Sequence, residues 1–371
     1  MQIHATQQRS LWYDEASATL RIIDQTRLPF EFRVVDLNDV DAVCEAIINM
    51  RVRGAPLIGV AAAYGLALAL REDNSQASET DAVAALLETR PTAINLRWAL
   101  ERMQKGLQQV QRSEAHAAAL ALAAQICEDD VATNLSIGEV GLPLITQLAE
   151  KKADGPVNVL THCNAGALAA VDWGTALAPI YLAWQRGIDV HVWVGETRPR
   201  NQGASLTTWE LARQGVPYTL VSDNSGGHLM QQGLVDLCLV GSDRTTARGD
   251  VCNKIGTYLK ALAARDNQVP FYVCLPVSTI DWTIADNVAD IPIEYRAPAE
   301  VTELLGQDQS GALHKVRITH KDCPALNPAF DVTPARLVTG LVTDQGIFPA
   351  TPTGLAELKR KLDQLCENSL V

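Results

Sequence analysis

The pattern of hydrophobic and polar residues changes near residue 150. Before it, apolar positions recur mainly at helical spacing, after a short N-terminal stretch where they alternate as in strands. After it, helical stretches separate five short apolar runs: VNVLTHC, IDVHVWVGE, PYTLVSD, VDLCLVGSD and VPFYVCL. Strands alternating with helices are typical of a mostly parallel sheet. We therefore predict an α/β fold with two domains, 1–150 and 151–371, divided at the polar Gly-Pro segment 151–156.

The first domain is predicted to be mainly helical, with a small β element in residues 1–37 and a solvated loop at 71–81. The second is predicted to be Rossmann-like, although no GxGxxG phosphate loop follows its first strand. The predicted helices include Asn38–Met50, Ala55–Leu70, 82–88, 95–112, 114–127, 131–150, 253–267, 334–340 and 354–366.

Composition narrows the class of protein. The chain has 371 residues and a formal net charge of −12, which argues against nucleic acid as a general partner because phosphate backbones need basic surfaces. The uncharged run Ala55–Leu70 is rich in Gly and Ala, so a helix buried in the protein is favoured over a membrane span. The N-terminus is too polar for a signal peptide, and we expect a cytoplasmic protein.

The cysteines do not indicate a disulfide framework or a metal site. Eight are present without paired spacing, which favours reduced thiols. Neither CxxC nor HExxH occurs, so we expect no metal.

Polar groups follow four of the predicted strands, and parallel strands bring such groups to one edge of a sheet. Cys163 precedes a Gly-containing turn, where backbone N–H groups favour a thiolate, and Asp243 ends a strand. Together they form a possible proton-handling pair. The alternatives stay open: most cysteines are small buried hydrophobes, and an Asp after a strand is often a turn or cap residue. His162 is interpreted as structural.

A phosphate site is also indicated. Pro56 suits the first turn of a helix, which places Arg53, Gly54 and Ala55 at its N-terminus, where N–H groups bind anions. A basic loop that merely connects two helices is the alternative. Arg53, Arg90 and Lys254 would hold the phosphate, and Asn253 is predicted to cap a helix.

Seven stretches resemble the methylthioribose-1-phosphate isomerase family, and they extend nearly from end to end. They are IDQTRLP (23–29), RVRGAPLIG (51–59), RPTAINLRWAL (90–100), THCNAGALA (161–169), GETRPRNQGASLTTWEL (195–211), GSDRTTARGDVCNKIGTY (241–258) and NPAFDVTPARLVTGLVTDQG (327–346). A small departure is Arg27, where this family more usually has an apolar residue.

The resemblance implies an aldose–ketose isomerase that acts on 5-methylthioribose 1-phosphate in methionine salvage, without a cofactor, as a homodimer. It implies that Asp243 donates a proton and that Cys163 stabilises the transition state or exchanges a proton. The substrate would be bound by Arg53, Gly54, Ala55, Arg90, Gln202, Asn253 and Lys254.

Two alternatives share the implied fold. Ribose-1,5-bisphosphate isomerase has a similar Cys/Asp pair, and a second phosphate would need more positive charge where a methylthio group needs an apolar pocket. Regulatory subunits of the translation-initiation guanine-nucleotide exchange factor share the fold without the chemistry, so a non-catalytic sensor of a sugar phosphate or nucleotide is the other possibility.

Overall fold

A computed structural model of the protein describes residues 2–3, 6–90, 93–284 and 291–368. Residues 91 and 92 of the RPTAINLRWAL stretch therefore lie outside the described part. The N-terminal strands are β1 (Gln2–Ile3), β2 (Thr6–Gln7), β3 (Leu11–Asp14), β4 (Thr19–Ile23) and β5 (Val34–Leu37). The helices that follow are α1 (Val40–Ile48), α2 (Ala55–Glu72), α3 (Gln76–Thr89), α4 (Ile94–Leu107) and α5 (Ala115–Lys151).

Helix α2 is the centre of the N-terminal half. Every residue from Ala55 to Leu70 is buried, and helices α1, α3, α4 and α5 pack around it. Small residues permit this close packing, since a Cβ on Gly59 would lie 2.8 Å from the Asn95 carbonyl oxygen. By length and composition α2 would suit a membrane span, but 83% of its apolar window is buried in the fold. The interpretation as a buried helix is confirmed.

Two predictions about this half were wrong. Residues 114–127 and 131–150, predicted as two helices, form the single 37-residue helix α5. The acidic segment between them does not break the helix, because Asp129 pairs with Arg102 and Asp130 accepts a hydrogen bond from the Val171 N–H. The predicted loop 71–81 is also shorter, since α3 begins at Gln76 after the Ser75 hydroxyl caps it.

The C-terminal half has a central sheet, as predicted. Its strands and those beside it are β6 (Val157–Thr161), β7 (Val190–Gly195), β8 (Tyr218–Val221), β9 (Leu237–Val240), β10 (Arg244–Thr246), β11 (Val251–Lys254), β12 (Phe271–Cys274), β13 (Ile280–Asp281), β14 (Glu303–Gln307), β15 (Leu313–Arg317), β16 (Phe330–Thr333), β17 (Gly340–Thr343) and β18 (Gly346–Phe348). The helices are α6 (Ala178–Gln185), α7 (Thr208–Gln214), α8 (Ser225–Gln231), α9 (Thr257–Asp266), α10 (Ala299–Thr302) and α11 (Pro352–Asn368).

Among the described residues, seven strands form the central sheet in the order β18-β17-β12-β9-β6-β7-β8, parallel except for β18. Side chains alternate between its two faces: Leu237 and Leu239 pack with α5, α6 and α7, whereas Cys238 and Val240 pack with α8, α9 and α11. The predicted α/β fold, with a helical N-terminal region and a mostly parallel sheet, is thus confirmed.

The segment after Asp243 differs from the prediction. Asn253 does not cap a helix but lies in β11, which pairs antiparallel with β10 and β16 in a small second sheet. The β-branched Val251 and the partner strands favour the extended form, and α9 begins only at Thr257, after Gly256 at φ +100°. Segment 334–340, predicted as a helix, holds only the 3-10 turn Ala335–Leu337 before β17, whereas the predicted C-terminal helix is α11.

The order of the strands fixes where a ligand can bind. From β6 the chain proceeds outward through β7 and β8, then returns to β9 on the other side of β6 and continues away to β12 and β17. The order therefore reverses between β6 and β9. In open α/β sheets ligands bind at such a switch point, beyond the carboxyl ends of the strands.

The predicted division into residues 1–150 and 151–371 falls at the end of α5, and it stays a prediction. Helix α5 contributes Ala119 and Ile126 to the core around α2, and Ile137 and Ile145 to the core against the sheet. It is the physical connection between the two halves.

Candidate active site

A cavity of about 50 Å³ lies at the switch point. Cys163 follows β6 and Asp243 follows β9, so the two reach it from adjacent strands. We call it the catalytic cavity, after these two candidate catalytic residues. All nine residues predicted to form the site line it: Arg53, Gly54, Ala55, Arg90, Cys163, Gln202, Asp243, Asn253 and Lys254. Sequence reasoning missed other lining residues, among them Met50 and Phe330.

The N-terminus of α2 forms one wall. Gly54 has φ +99°, and a Cβ there would lie 2.4 Å from the carbonyl oxygen of Ala169. Only glycine therefore fits between α2 and the loop after β6. Pro56 lies in the first turn, as predicted, and the unpaired N–H groups at this end of a buried helix favour an anion.

Arg53 is buried, with 4% of its surface exposed. Its Nε donates to Gln25 Oε1 at 3.0 Å, and its Nη1 donates to the Asn164 carbonyl oxygen at 2.8 Å. Burial lowers the pKa of Arg53, but the neighbouring Cys163, Glu210 and Asp243 oppose that shift. A guanidinium this basic stays charged, so the catalytic cavity carries a fixed positive charge.

The loop after β6 is held by a residue that sequence reasoning missed, Glu210. Its carboxylate accepts hydrogen bonds from the N–H groups of Ala167 (2.7 Å) and Leu168 (2.9 Å), from Asn164 Nδ2 (2.8 Å) and from the Tyr181 hydroxyl (2.9 Å). Burial raises the pKa of Glu210. One sequence signal could have identified it: Glu210 lies between the apolar Trp209 and Leu211 in a helical pattern. An acid flanked in this way is less expected to face solvent and could have been predicted as buried.

Cys163 is held in a left-handed conformation, with φ +63°. Its N–H donates to the Thr197 hydroxyl at 2.7 Å, and its thiol donates to Gln202 Oε1 at 3.2 Å. Burial raises the pKa of the thiol, against the effect of Arg53 and Lys254. The thiolate expected from a turn position is therefore disfavoured, and the neutral thiol is the form present near pH 7.

His162 follows β6, directly before Cys163, and is buried. Its Nε2 donates to the Ile255 carbonyl oxygen at 2.8 Å, which fixes its tautomer. Burial and the nearby Lys260 hold the pKa of His162 well below its ordinary value. The ring is a neutral structural group, in agreement with its interpretation from sequence.

Asp243 faces the positive side of the catalytic cavity. Burial raises its pKa, and the neighbouring Lys254, Arg90 and Arg53 oppose that increase. Lys254 Nζ lies 4.5 Å from the centre of the Phe330 ring, and Arg90 pairs with Glu294 at 3.1 Å. The arrangement places a carboxyl group with a raised pKa beside Arg53, Arg90 and Lys254, three basic side chains suited to a phosphate. Burial lowers the pKa of Lys254, and the neighbouring Cys163 and Asp243 oppose that shift.

Asn253 lies in the catalytic cavity although it does not cap a helix, and its Nδ2 donates to the Thr257 hydroxyl at 2.9 Å. In the described ranges, no group of three or more His, Cys, Asp or Glu side chains is placed to hold a metal ion.

Comparisons with known proteins show the family of the chain. The model of the family described as "Initiation factor 2 subunit family" matches residues 51–350. The chain belongs to the initiation factor 2 subunit family. Within it, the chain is 59% identical to the methylthioribose-1-phosphate isomerase of Methylorubrum populi, over 96% of this chain and 98% of that protein. It is 58% identical to the protein of the same name from Rhodospirillum rubrum, over 96% of this chain and 93% of that protein.

Solved structures of this family have the same fold. A crystal structure of 5-methylthioribose 1-phosphate isomerase from Pyrococcus horikoshii OT3 superposes with a TM-score of 0.81, at 38% identity and 96% coverage of both chains. The delta subunit of translation initiation factor eIF-2B from A. fulgidus gives a TM-score of 0.74 at 38% identity, over 92% of this chain and 96% of that chain. The resemblance stated from the seven stretches is confirmed.

We predict that Gly54→Ala damages the protein more than the same change at Gly155. Both glycines have positive φ, but a Cβ on Gly155 would meet nothing within 4 Å. Gly155→Ala should cost about 1–2 kcal/mol of the free energy of unfolding, the cost of the backbone conformation alone. Gly54→Ala should cost about 3 kcal/mol or more, because the Ala169 backbone must move. Denaturant unfolding measures both variants, and equal losses would contradict the assigned contact.

Proposed function

We propose that the protein is an aldose–ketose isomerase that converts 5-methylthioribose 1-phosphate into 5-methylthioribulose 1-phosphate, a step of methionine salvage. The observation that carries the proposal is the pairing of Cys163 and Asp243 across a cavity that also holds Arg53, Arg90 and Lys254. Relatives at 55–59% identity over nearly the whole chain carry the name methylthioribose-1-phosphate isomerase.

In this proposal the substrate phosphate binds at the N-terminus of α2. The N–H groups there and the cations Arg53 and Lys254 would neutralise a dianion within an otherwise acidic protein. Arg90 and Asn253 would complete the phosphate contacts. Gln202, which accepts from the Cys163 thiol, would bind the sugar hydroxyls.

Ring opening is assigned to Asp243. The phosphate blocks the anomeric oxygen, so the ring cannot open as a free hemiacetal. A proton from Asp243 passes to the ring oxygen, the bond between C1 and that oxygen breaks, and positive charge develops at C1. This step needs a neutral carboxyl group, and the raised pKa of Asp243 supports that state.

Hydrogen transfer follows from C2 to C1. In the hydride route, the C2 hydrogen moves with its electron pair to C1, C2 becomes a carbonyl carbon, and the proton of the 2-hydroxyl returns to the Asp243 carboxylate. In the enediol route, a Cys163 thiolate removes the C2 proton and a C1=C2 enol forms. The thiol then returns a proton to C1 while the 2-hydroxyl loses its proton to the Asp243 carboxylate, which leaves a carbonyl at C2. We favour the hydride route, because burial raises the pKa of Cys163 and the neutral thiol is a poor base. The thiol would then stabilise the transition state.

We also propose that the protein works in the cytoplasm as a homodimer. The family resemblance supports the dimer. For the cytoplasm, the support is the chemistry of the thiols, since all seven cysteines whose side chains are described are free.

We predict that Asp243→Asn lowers kcat by roughly 10²–10⁴-fold while product affinity changes little, because it removes the proton donor and leaves the phosphate contacts. Asp236→Asn is the matched control, since Asp236 lies at the opposite end of β9, paired with Lys152. Phosphorus NMR of substrate conversion measures both variants. Full turnover in Asp243→Asn would refute its role, and a wild-type protein that binds the sugar phosphate without turnover would be a sensor.

We predict that kcat falls as pH rises through the raised pKa of Asp243. The protonated form is the active one, so activity is complete below that pKa and lost above it. A pH profile of kcat tests this sign, and activity that increases through the same range would contradict a protonated donor.

We predict that the ketose formed in deuterated water carries no deuterium at C1, because a hydride moves within the substrate. Cys163→Ser should keep this outcome with reduced turnover. Proton NMR of the product decides, and deuterium at C1 would establish exchange with a base and hence the enediol route.

A further inference from the structure

A second cavity of about 190 Å³ adjoins the catalytic cavity. The two share Met50, Arg53 and Gln202. The second, here called the side cavity, extends from these residues toward the hairpin of β14 and β15. Its apolar wall consists of Leu28, Phe30, Met50, Leu206, Leu304 and Leu305.

We propose that the side cavity binds the methylthio group on C5 of the substrate, and that Leu304 and Glu303 determine selectivity there. The inference rests on the proposed isomerase function and adds to it the residues that recognise the far end of the sugar.

Space supports this placement. The catalytic cavity is about 50 Å³, and in the proposed function the phosphate and the sugar ring would already occupy it. On the side of Arg90 and Asp243, the adjoining space is about 10 Å³. A larger cavity of about 1110 Å³ shares one lining residue, Pro56, with the catalytic cavity, whereas the side cavity shares three. With the phosphate held at α2 and the proton donor at Asp243, the side cavity offers the room for a substituent at C5.

The chemistry of the wall suits a thioether. Leu28 and Leu206 are each 3% exposed, so their side chains are fixed by the surrounding core. Met50 has φ +62°, a conformation uncommon for a side chain of this size, and it lies at the junction of the two cavities. A methylthio group gains by leaving water for such a surface, and Met and Leu side chains adapt to its shape.

The charges around the side cavity disfavour a second phosphate. Glu300 and Glu303 both line it, together with Arg53 and Arg200. Arg200 is paired with Glu300 at 2.7 Å, and Glu303 lies 2.6 Å from Lys315 and 3.3 Å from Arg317. Arg53 is already hydrogen-bonded to Gln25 and Asn164, and Arg200 is already paired with Glu300. A 5-phosphate would have to disturb these contacts and would lie beside two carboxylates, a repulsive element of the kind that specific sites use against a close competitor. The neutral methylthio group meets no such repulsion.

Substrate and side chain can be varied together to test the apolar wall. Wild-type kcat/KM should be roughly 10–200-fold higher for 5-methylthioribose 1-phosphate than for 5-deoxyribose 1-phosphate, which lacks the group. Leu304→Ala should lower the first value by roughly 3–10-fold more than it lowers the second. Val316→Ala is the matched control, because Val316 pairs with Leu304 across the hairpin but does not line the side cavity.

Turnover of the 5-deoxy substrate also shows that each variant is folded. The deciding quantity is the ratio of kcat/KM for the methylthio substrate to kcat/KM for the 5-deoxy substrate. If this ratio is the same in Leu304→Ala as in the wild-type protein, the side cavity is not the methylthio site, while the isomerase function stands. If the wild-type protein converts neither substrate, the proposed function itself fails.

A second measurement tests the charge. Glu303→Gln removes a carboxylate and releases Lys315 and Arg317, so inhibition by ribose 1,5-bisphosphate should tighten roughly 5–10-fold. Glu15→Gln, in the exposed turn between β3 and β4, is the control and should change nothing. An unchanged inhibition constant in Glu303→Gln would overturn the selectivity assigned to that residue.

Discussion

The charge of Arg53, buried where the two halves of the chain meet, is the constraint on which the site depends. A buried guanidinium is costly unless its N–H groups find acceptors, and these come from separate parts of the chain: Gln25 beyond β4 and Asn164 beyond β6. Asn164 is in turn bonded to Glu210 on α7. Arg53 can therefore be buried only when three segments are correctly placed relative to one another: the start of α2, the end of β4 and the loop after β6.

The same lack of water shifts the pKa values of the two groups proposed to react. Desolvation raises the pKa of both Cys163 and Asp243, while Arg53 and Lys254 remain close to each. An acid beside cations would normally be ionised, and burial is what opposes that tendency. Binding of an anionic phosphate would offset the cations and strengthen the neutral form of Asp243. In the proposed mechanism, substrate binding and proton donation would therefore be electrostatically coupled.

Much of the site could be predicted because it depends on topology and local sequence. Parallel strands end at one edge of the sheet, which brings Cys163 and Asp243 together, and Pro56 marks the helix N-terminus that places Gly54. Asn253 was predicted in the cavity, where it lies, but as a helix cap and not as part of a strand, because a short strand with polar ends resembles the start of a helix. Glu210 was missed because its function is set by buried partners far away in sequence. The side cavity depends on the hairpin of β14 and β15, whose position no local pattern specifies.

Helix α5 has a consequence for how the protein unfolds. At 1.5 Å per residue its 37 residues extend about 55 Å, and they supply side chains to the core around α2 and to one face of the central sheet. Neither core keeps its packing if this helix melts, so local opening in one half is transmitted to the other. The chain should behave as one cooperative folding unit despite its two structural regions, with its slowest amide exchange along the buried face of α5.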